Sequence, residues 1–289
     1  MSQHNFALDI VADGLHMPEC PRWHDQRLWF SDIRGHTVYR IDDGHLSVVH
    51  RFPVDEEPAG LGWLPDGDLL VAGMATRVIY RITGGHATIH ADVKLLAAHQ
   101  INDMIVTSDG TAFVTQLGFD LDAPQPEPKA TMVIRVDPEG AVSAAADDLL
   151  VPNGIAIDDT ETTIVVAESG GGRLTSYAHR DGVLSDRSTE PLPATTAFPF
   201  CAPDGICLDE QGGRWVADSI NKRVFRIHSG TITHEHRFEQ FVLACALGDP
   251  DRRSLYVCLT DFWHKSEMTD QPTGRIVRIR VASPGVGRP

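Results

Sequence analysis

"PECPRWHDQRLWFSDIRGHTVYRID", residues 18–42, opens on a charged residue set between prolines, runs into two apolar strand-like stretches, and closes on a third of the type "xVYRI". The same order recurs. "PAGLGWLPDGDLLVAGMATRVIYRI" starts at Pro58, and "INDMIVTSDGTAFVTQLGFD" starts at Ile101 and is completed by "MVIRVDPEG" at Met132. "PNGIAIDDTETTIVVAESGGGRLTSYAHRDG" follows from Pro152 and "PDGICLDEQGGRWVADSINKRVFRIHSG" from Pro203. The last copy is "CALGDPDRRSLYVCLTDFW" from Cys245, completed by "GRIVRIRV" at Gly274.

Turn tripeptides such as Pro65-Asp66-Gly67, Ser108-Asp109-Gly110 and Gln211-Gly212-Gly213 stand where hairpins need positive φ. Six copies starting near 18, 58, 101, 152, 203 and 244 suit four-stranded antiparallel units. The pattern predicts an all-β fold, a six-bladed β-propeller with four-stranded blades around a central channel. The whole chain, 1–289, reads as one such domain, with 282–289 as a frayed tail.

Composition narrows the function. Forty acidic against 25 basic residues give a net charge of −15, which repels a phosphate backbone and excludes nucleic acid and anionic membranes as partners. No long apolar run and no basic, then apolar, leader is visible, so a cytoplasmic location is expected. Five cysteines without a C-x-x-C pair indicate neither a disulfide framework nor a zinc knuckle.

Aligning the copies on their second residue gives Glu19, Ala59, Asn102, Asn153, Asp204 and Cys245. Equivalent positions of a propeller face one another around the channel mouth, so two carboxylates and two carboxamides converge there. Such a set suits one hard divalent cation, Ca²⁺ before Mg²⁺, Mn²⁺ or Zn²⁺, with water or substrate completing its shell. The same residues also suit strand-end capping without any metal.

These motifs, "PECPRW", "NDM", "PNGIAI", "PDGICLD" with "WVAD", and "CALG" with "LYVC", make residues 10–281 resemble the regucalcin (senescence marker protein)/gluconolactonase family of calcium-dependent lactonases. The resemblance implies Glu19, Asn153 and Asp204 as metal ligands. It implies Asn102 as a fourth ligand or as the holder of a water or substrate oxygen, and Asp204 as the general base. Gln100 and Asp120 fall at substrate-contacting positions where the family's sugar-lactone hydrolases carry Arg and Glu. Asp103 would orient its neighbour from behind, or cap the strand.

The implied activity is metal-dependent opening of a small cyclic ester, in which Asp204 takes a proton from water or attacks directly. Cys20 and Met104 depart from the family, which has Gly at both places, and Gln100 lacks the cationic fork of Arg. Three Pro-rich insertions, 120–130, 192–203 and 261–274, are placed to roof the channel. Phe119, Phe198, Phe200, Phe262 and Trp263 would give them an apolar rim, suited to a substrate less polar than a sugar lactone. A propeller binding module with a structural calcium ion, and a promiscuous phosphotriesterase-like hydrolase, are the alternatives. The sequence carries no signal for an oligomeric state.

Overall fold

A computed structural model describes residues 9–262, 264–267 and 271–287. Six four-stranded antiparallel sheets follow one another along the chain. Each is built from the repeat, innermost strand first. The inner strands are Pro18–His24, Pro58–Trp63, Ile101–Val106, Pro152–Ile157, Pro203–Leu208 and Phe241–Gly248. Every inner strand touches those of both neighbouring blades, and the sixth returns to the first, so the blades close into a ring around a channel. This is the six-bladed propeller that the repeat predicts.

Blade 6 is completed by Asp9–Leu15, which pairs as its outer strand with Gly274–Arg280. Joining the first strand to the last sheet ties the two ends of the chain into one blade and fastens the ring shut. The six copies contain no cue for this closure, because the strand lies ahead of the first copy.

The polarity of burial follows position in the blade. Inner and second strands are buried almost throughout, whereas the outer strand Val183–Pro191 is nearly all exposed. Aromatic residues fill the space between sheets: Trp23 stacks on Tyr256, Trp29 meets Trp63 edge-on, and Trp215 is 1 % exposed. They are blade core, as their place in the repeat implies. Trp215→Ala is expected to cost about 3–5 kcal/mol, measurable as a lower urea midpoint.

All six inner strands carry a register break near their start, where the inner strand has one residue more than its partner. This shared bulge fixes the equivalences. Pro18, Pro58, Ile101, Pro152, Pro203 and Phe241 each pair with the last residue of the second strand. The sixth mouth position is therefore Val242, and Cys245 is corrected to a place three residues deeper, equivalent to Cys207. The "CALG" motif misleads because blade 6 lacks the proline that marks the strand start in four of the others.

Glycine permits close approach beyond the mouth. A Cβ on Gly154 would lie 2.4 Å from the Asp204 carbonyl oxygen, and one on Gly60 2.4 Å from the Met104 nitrogen. The inner strands thus pack backbone to backbone, which brings the ring residues together.

The described part of the final segment, 282–287, is not frayed. Glu210 N–H donates to the Pro284 carbonyl, Gly285 N–H to Arg252 and Val286 N–H to Leu208, and Ser283 is buried. Backbone pairing rather than side-chain pattern holds this segment, so composition alone could not show it.

Candidate functional site

The second residues of the inner strands are Glu19, Ala59, Asn102, Asn153, Asp204 and Val242, one per blade. Four polar groups come from blades 1, 3, 4 and 5, and Glu19 stands between the apolar positions of blades 2 and 6.

The strands that carry them are clamped. Acidic residues ending the second strands accept hydrogen bonds from the chain entering the same blade: Asp32 from Met17 N–H (2.7 Å), Glu168 from Leu150 N–H (2.8 Å) and Asp218 from Ala202 N–H (3.1 Å). Hydroxyls then tie one blade to the next. Ser31 donates to the Ala59 carbonyl, Thr115 to that of Asn153 and Ser169 to that of Pro203. The "FSD", "VAE" and "VAD" strand ends thus position the ring, a role the sequence reading did not assign.

Within the ring, the Asn102 carboxamide donates to the Asn153 carboxamide oxygen at 2.6 Å, and Asn153 donates onward to Ser169 Oγ at 3.2 Å. Glu19 is 8 % and Asp204 9 % exposed. Burial pushes the Glu19 carboxyl up to about 7, opposed by the Cys20 N–H it accepts at 2.8 Å. Burial also raises Asp204 well above the carboxylate range, reinforced by the negative charges of Glu19 and Asp103 and opposed by a hydrogen bond from Asn153.

Directly behind the mouth lies a feature absent from the sequence reading. Arg22, 7 % exposed, donates to Asp103 Oδ1 at 2.5 Å and to the Met104 carbonyl at 2.8 Å, joining blades 1 and 3. Asp103 also accepts from the N–H of Met104 and of Ile155 in blade 4. Its partners are backbone, Arg22 and the Cys20 thiol, and its effect on the ring is exerted through strand position.

Cys20 holds a left-handed φ of 47° where blades 2, 4 and 5 place glycine. Its thiol packs in the apolar cluster that contains Met17, Ile33 and Met104, and burial raises its pKa well above the usual thiol range. Cys20 thus fills core space behind the ring. The nearby histidines are engaged elsewhere or solvated: His24 stacks on Trp63 at 3.9 Å, His99 is exposed, and His264 bonds Ser266.

Gln100 and Asp120 are brought together: Gln100 Nε2 donates to Asp120 Oδ1 at 3.1 Å, and Gln100 Oε1 accepts from Leu121 N–H. Gln100 immediately precedes the inner strand of blade 3, and Asp120 lies just beyond the second strand, so antiparallel pairing puts both at the mouth end. The same topology places all three insertions on that face, since each joins a second to a third strand or one blade to the next. Arg34, paired with Glu57 and 3.5 Å from Asp122, ties the first insertion to blades 1 and 2. Phe198 and Phe200 are 52 % and 40 % exposed there, Phe119 and Phe262 are partly buried, and Trp263 lies outside the described residues.

Among the described residues no three His, Cys, Asp or Glu side chains form a metal cluster. The ring's donor set is of another kind, two carboxylates and two carboxamides, and it fits a hard cation on electrostatic grounds. Two buried, mutually repelling carboxylates whose proton affinities are raised gain most from a shared positive charge.

Comparison with known proteins agrees with this architecture. Residues 17–261 match the family described as "SMP-30/Gluconolactonase/LRE-like region". The 6-deoxy-6-sulfogluconolactonase of Pseudomonas putida is 26 % identical over 290 residues, covering 97 % of this chain and 96 % of that protein. A gluconolactonase structure from Xanthomonas campestris superposes with a TM-score of 0.69 at 25 % identity, covering 93 % of this chain and 88 % of the other. A calcium-binding regucalcin from Agrobacterium tumefaciens shares the fold, with a TM-score of 0.79 at 18 % identity over 98 % and 97 % of the two chains.

Proposed function

From the premise that this chain belongs to the SMP-30/gluconolactonase/LRE-like family, we propose that it is a metal-dependent hydrolase that opens small lactones at the channel mouth. The observation that carries the reading is the convergence of Glu19, Asn102, Asn153 and Asp204 on one ring, with both carboxylates buried. The relatives named as lactonases supply the reaction class. Glu19, Asn153 and Asp204 would hold one divalent cation, with Asn102 as fourth ligand or partner of a substrate oxygen, and Ca²⁺ matches this oxygen set best. Bound there, the cation supplies Lewis acidity toward a carbonyl oxygen and charge for the developing oxyanion.

The chain's own groups do the rest. Asp204, buried at the mouth beside the position the cation would take, is placed to accept the proton of the attacking water. The Asn102 amide fixes the Asn153 carboxamide, which Ser169 anchors in turn, so the orientation of both is set before a ligand arrives. Gln100 and Asp120 present a neutral and an anionic hydrogen-bonding group to ring substituents. The exposed phenylalanines on the same face favour a ring with an apolar portion.

Gln100→Arg is expected to shift preference toward polyhydroxylated lactones by about tenfold in relative kcat/KM, since a guanidinium offers several donors where the amide offers two. Assays of paired sugar and aliphatic lactones measure the shift. An unchanged ratio would remove Gln100 from substrate recognition.

A further inference from the structure

The channel has a second end. Beyond Arg22 a small cavity lies between the inner strands of blades 1, 3, 4, 5 and 6, with room for about three water molecules. Its walls are largely apolar, including Ile105, Ile155 and Ile206. Two guanidinium groups line it, those of Arg22 and Arg252, and the Nε of each is buried without a hydrogen-bond partner.

Their charge states differ. Arg22 is neutralised by Asp103 at 2.5 Å. Arg252 has only the Val286 carbonyl, at 3.4 Å from Nη2, and among the described residues no carboxylate pairs with it. Arg252 is half-buried with its Nε enclosed, and its fork of N–H donors, without a counter-charge, is shaped for an oxyanion or halide. Burial accordingly lowers the proton affinity of Arg252. The terminal segment folds over this end of the channel, with Gly285 N–H on the Arg252 carbonyl and Gly285 close to the Arg252 Nε.

We propose that this distal cavity is a binding site for one small monovalent anion, a halide or a carboxylate of formate to acetate size, held by Arg252 with Arg22 beside it. One negative charge balances the one unpaired cation, and a space for about three waters suits a small ion. The Cys207 and Cys245 thiols, 3.8 Å apart on the same wall, add weak donors that tolerate an anion but would not bind a cation while protonated. The site is independent of the mouth ring and of the lactonase reading.

Chloride-35 NMR line broadening on the full-length, metal-loaded protein at fixed ionic strength tests it, together with anomalous diffraction from crystals soaked in bromide. Excess broadening in the wild type, abolished in Arg252→Met, and one bromide peak in the cavity are expected. Arg252→Lys keeps the charge but loses Nε–H. It should fold where the methionine variant does not, and should weaken chloride binding roughly tenfold. Formate that displaces chloride would extend the ligand to small carboxylates, and formate that does not would confine it to halides. No bromide peak in the cavity, or broadening that both variants retain in full, would overturn the proposal.

Discussion

Asp204→Asn is expected to lower lactone kcat/KM by about three orders of magnitude or more while leaving the thermal midpoint of the metal-free protein unchanged or raised. The loss combines two contributions, weakened cation binding and removal of the group that accepts water's proton, each worth roughly 10²–10³-fold. Stability moves the other way because Asp204 is a buried carboxylate repelled by Glu19 and Asp103, and a neutral amide of the same shape relieves that repulsion. A site that trades stability for function behaves in this manner, whereas a strand-end cap would lose stability on the same change. Kinetics with a small aliphatic lactone and a melting curve with and without chelator separate the two. An active, metal-binding Asp204→Asn protein would rule out the role proposed for this carboxylate.

Arg22→Met should destabilise the fold by about 3–5 kcal/mol, because it strands Asp103 as a buried, unpaired charge. The ion pair at 2.5 Å has both side chains almost wholly buried, and its removal leaves the Met104 carbonyl without the Arg22 donor as well. The double variant Arg22→Met/Asp103→Leu is expected to recover much of that loss, since replacing both partners by apolar groups removes the desolvation penalty along with the attraction. Urea titrations of the two singles and the double give the coupling energy directly. If Arg22→Met alone were as stable as the wild type, the pair would not hold blades 1 and 3 together.

Much of the architecture was legible because the propeller repeats itself. The prolines of "PECP", "PAGL", "PNGI" and "PDGI" mark strand starts by steric necessity, and the turn tripeptides mark hairpins, so five of the six mouth positions follow from spacing alone. Blade 6 breaks the rule by starting with Phe241-Val242, and there the register had to come from strand pairing. Closure by Asp9–Leu15 was hidden for a different reason: a lone outer strand has a weak pattern of its own and gains meaning only from its partner.

The candidate ring was legible as residue types at equivalent positions, and the pairing of Gln100 with Asp120 follows from their bracketing one hairpin of blade 3. Arg22 and Asp103 were not legible as a pair. Their contact spans 81 positions and crosses the channel, and neither residue's neighbours announce a buried charge. Likewise, the terminal segment is fixed by main-chain bonds to Leu208, Glu210 and Arg252, which no composition rule reports.

The most direct test of the proposed chemistry is lactone hydrolysis by chelator-stripped protein, assayed over aliphatic and sugar lactones with Ca²⁺, Mg²⁺, Mn²⁺ or Zn²⁺ restored one at a time, alongside calorimetric titration of the same ions. The account predicts turnover that falls to background on stripping and returns with a divalent ion at one-to-one stoichiometry, and that Glu19→Gln impairs both binding and turnover. Full activity in the stripped protein, or tight ion binding with no hydrolysis of any ring, would contradict it.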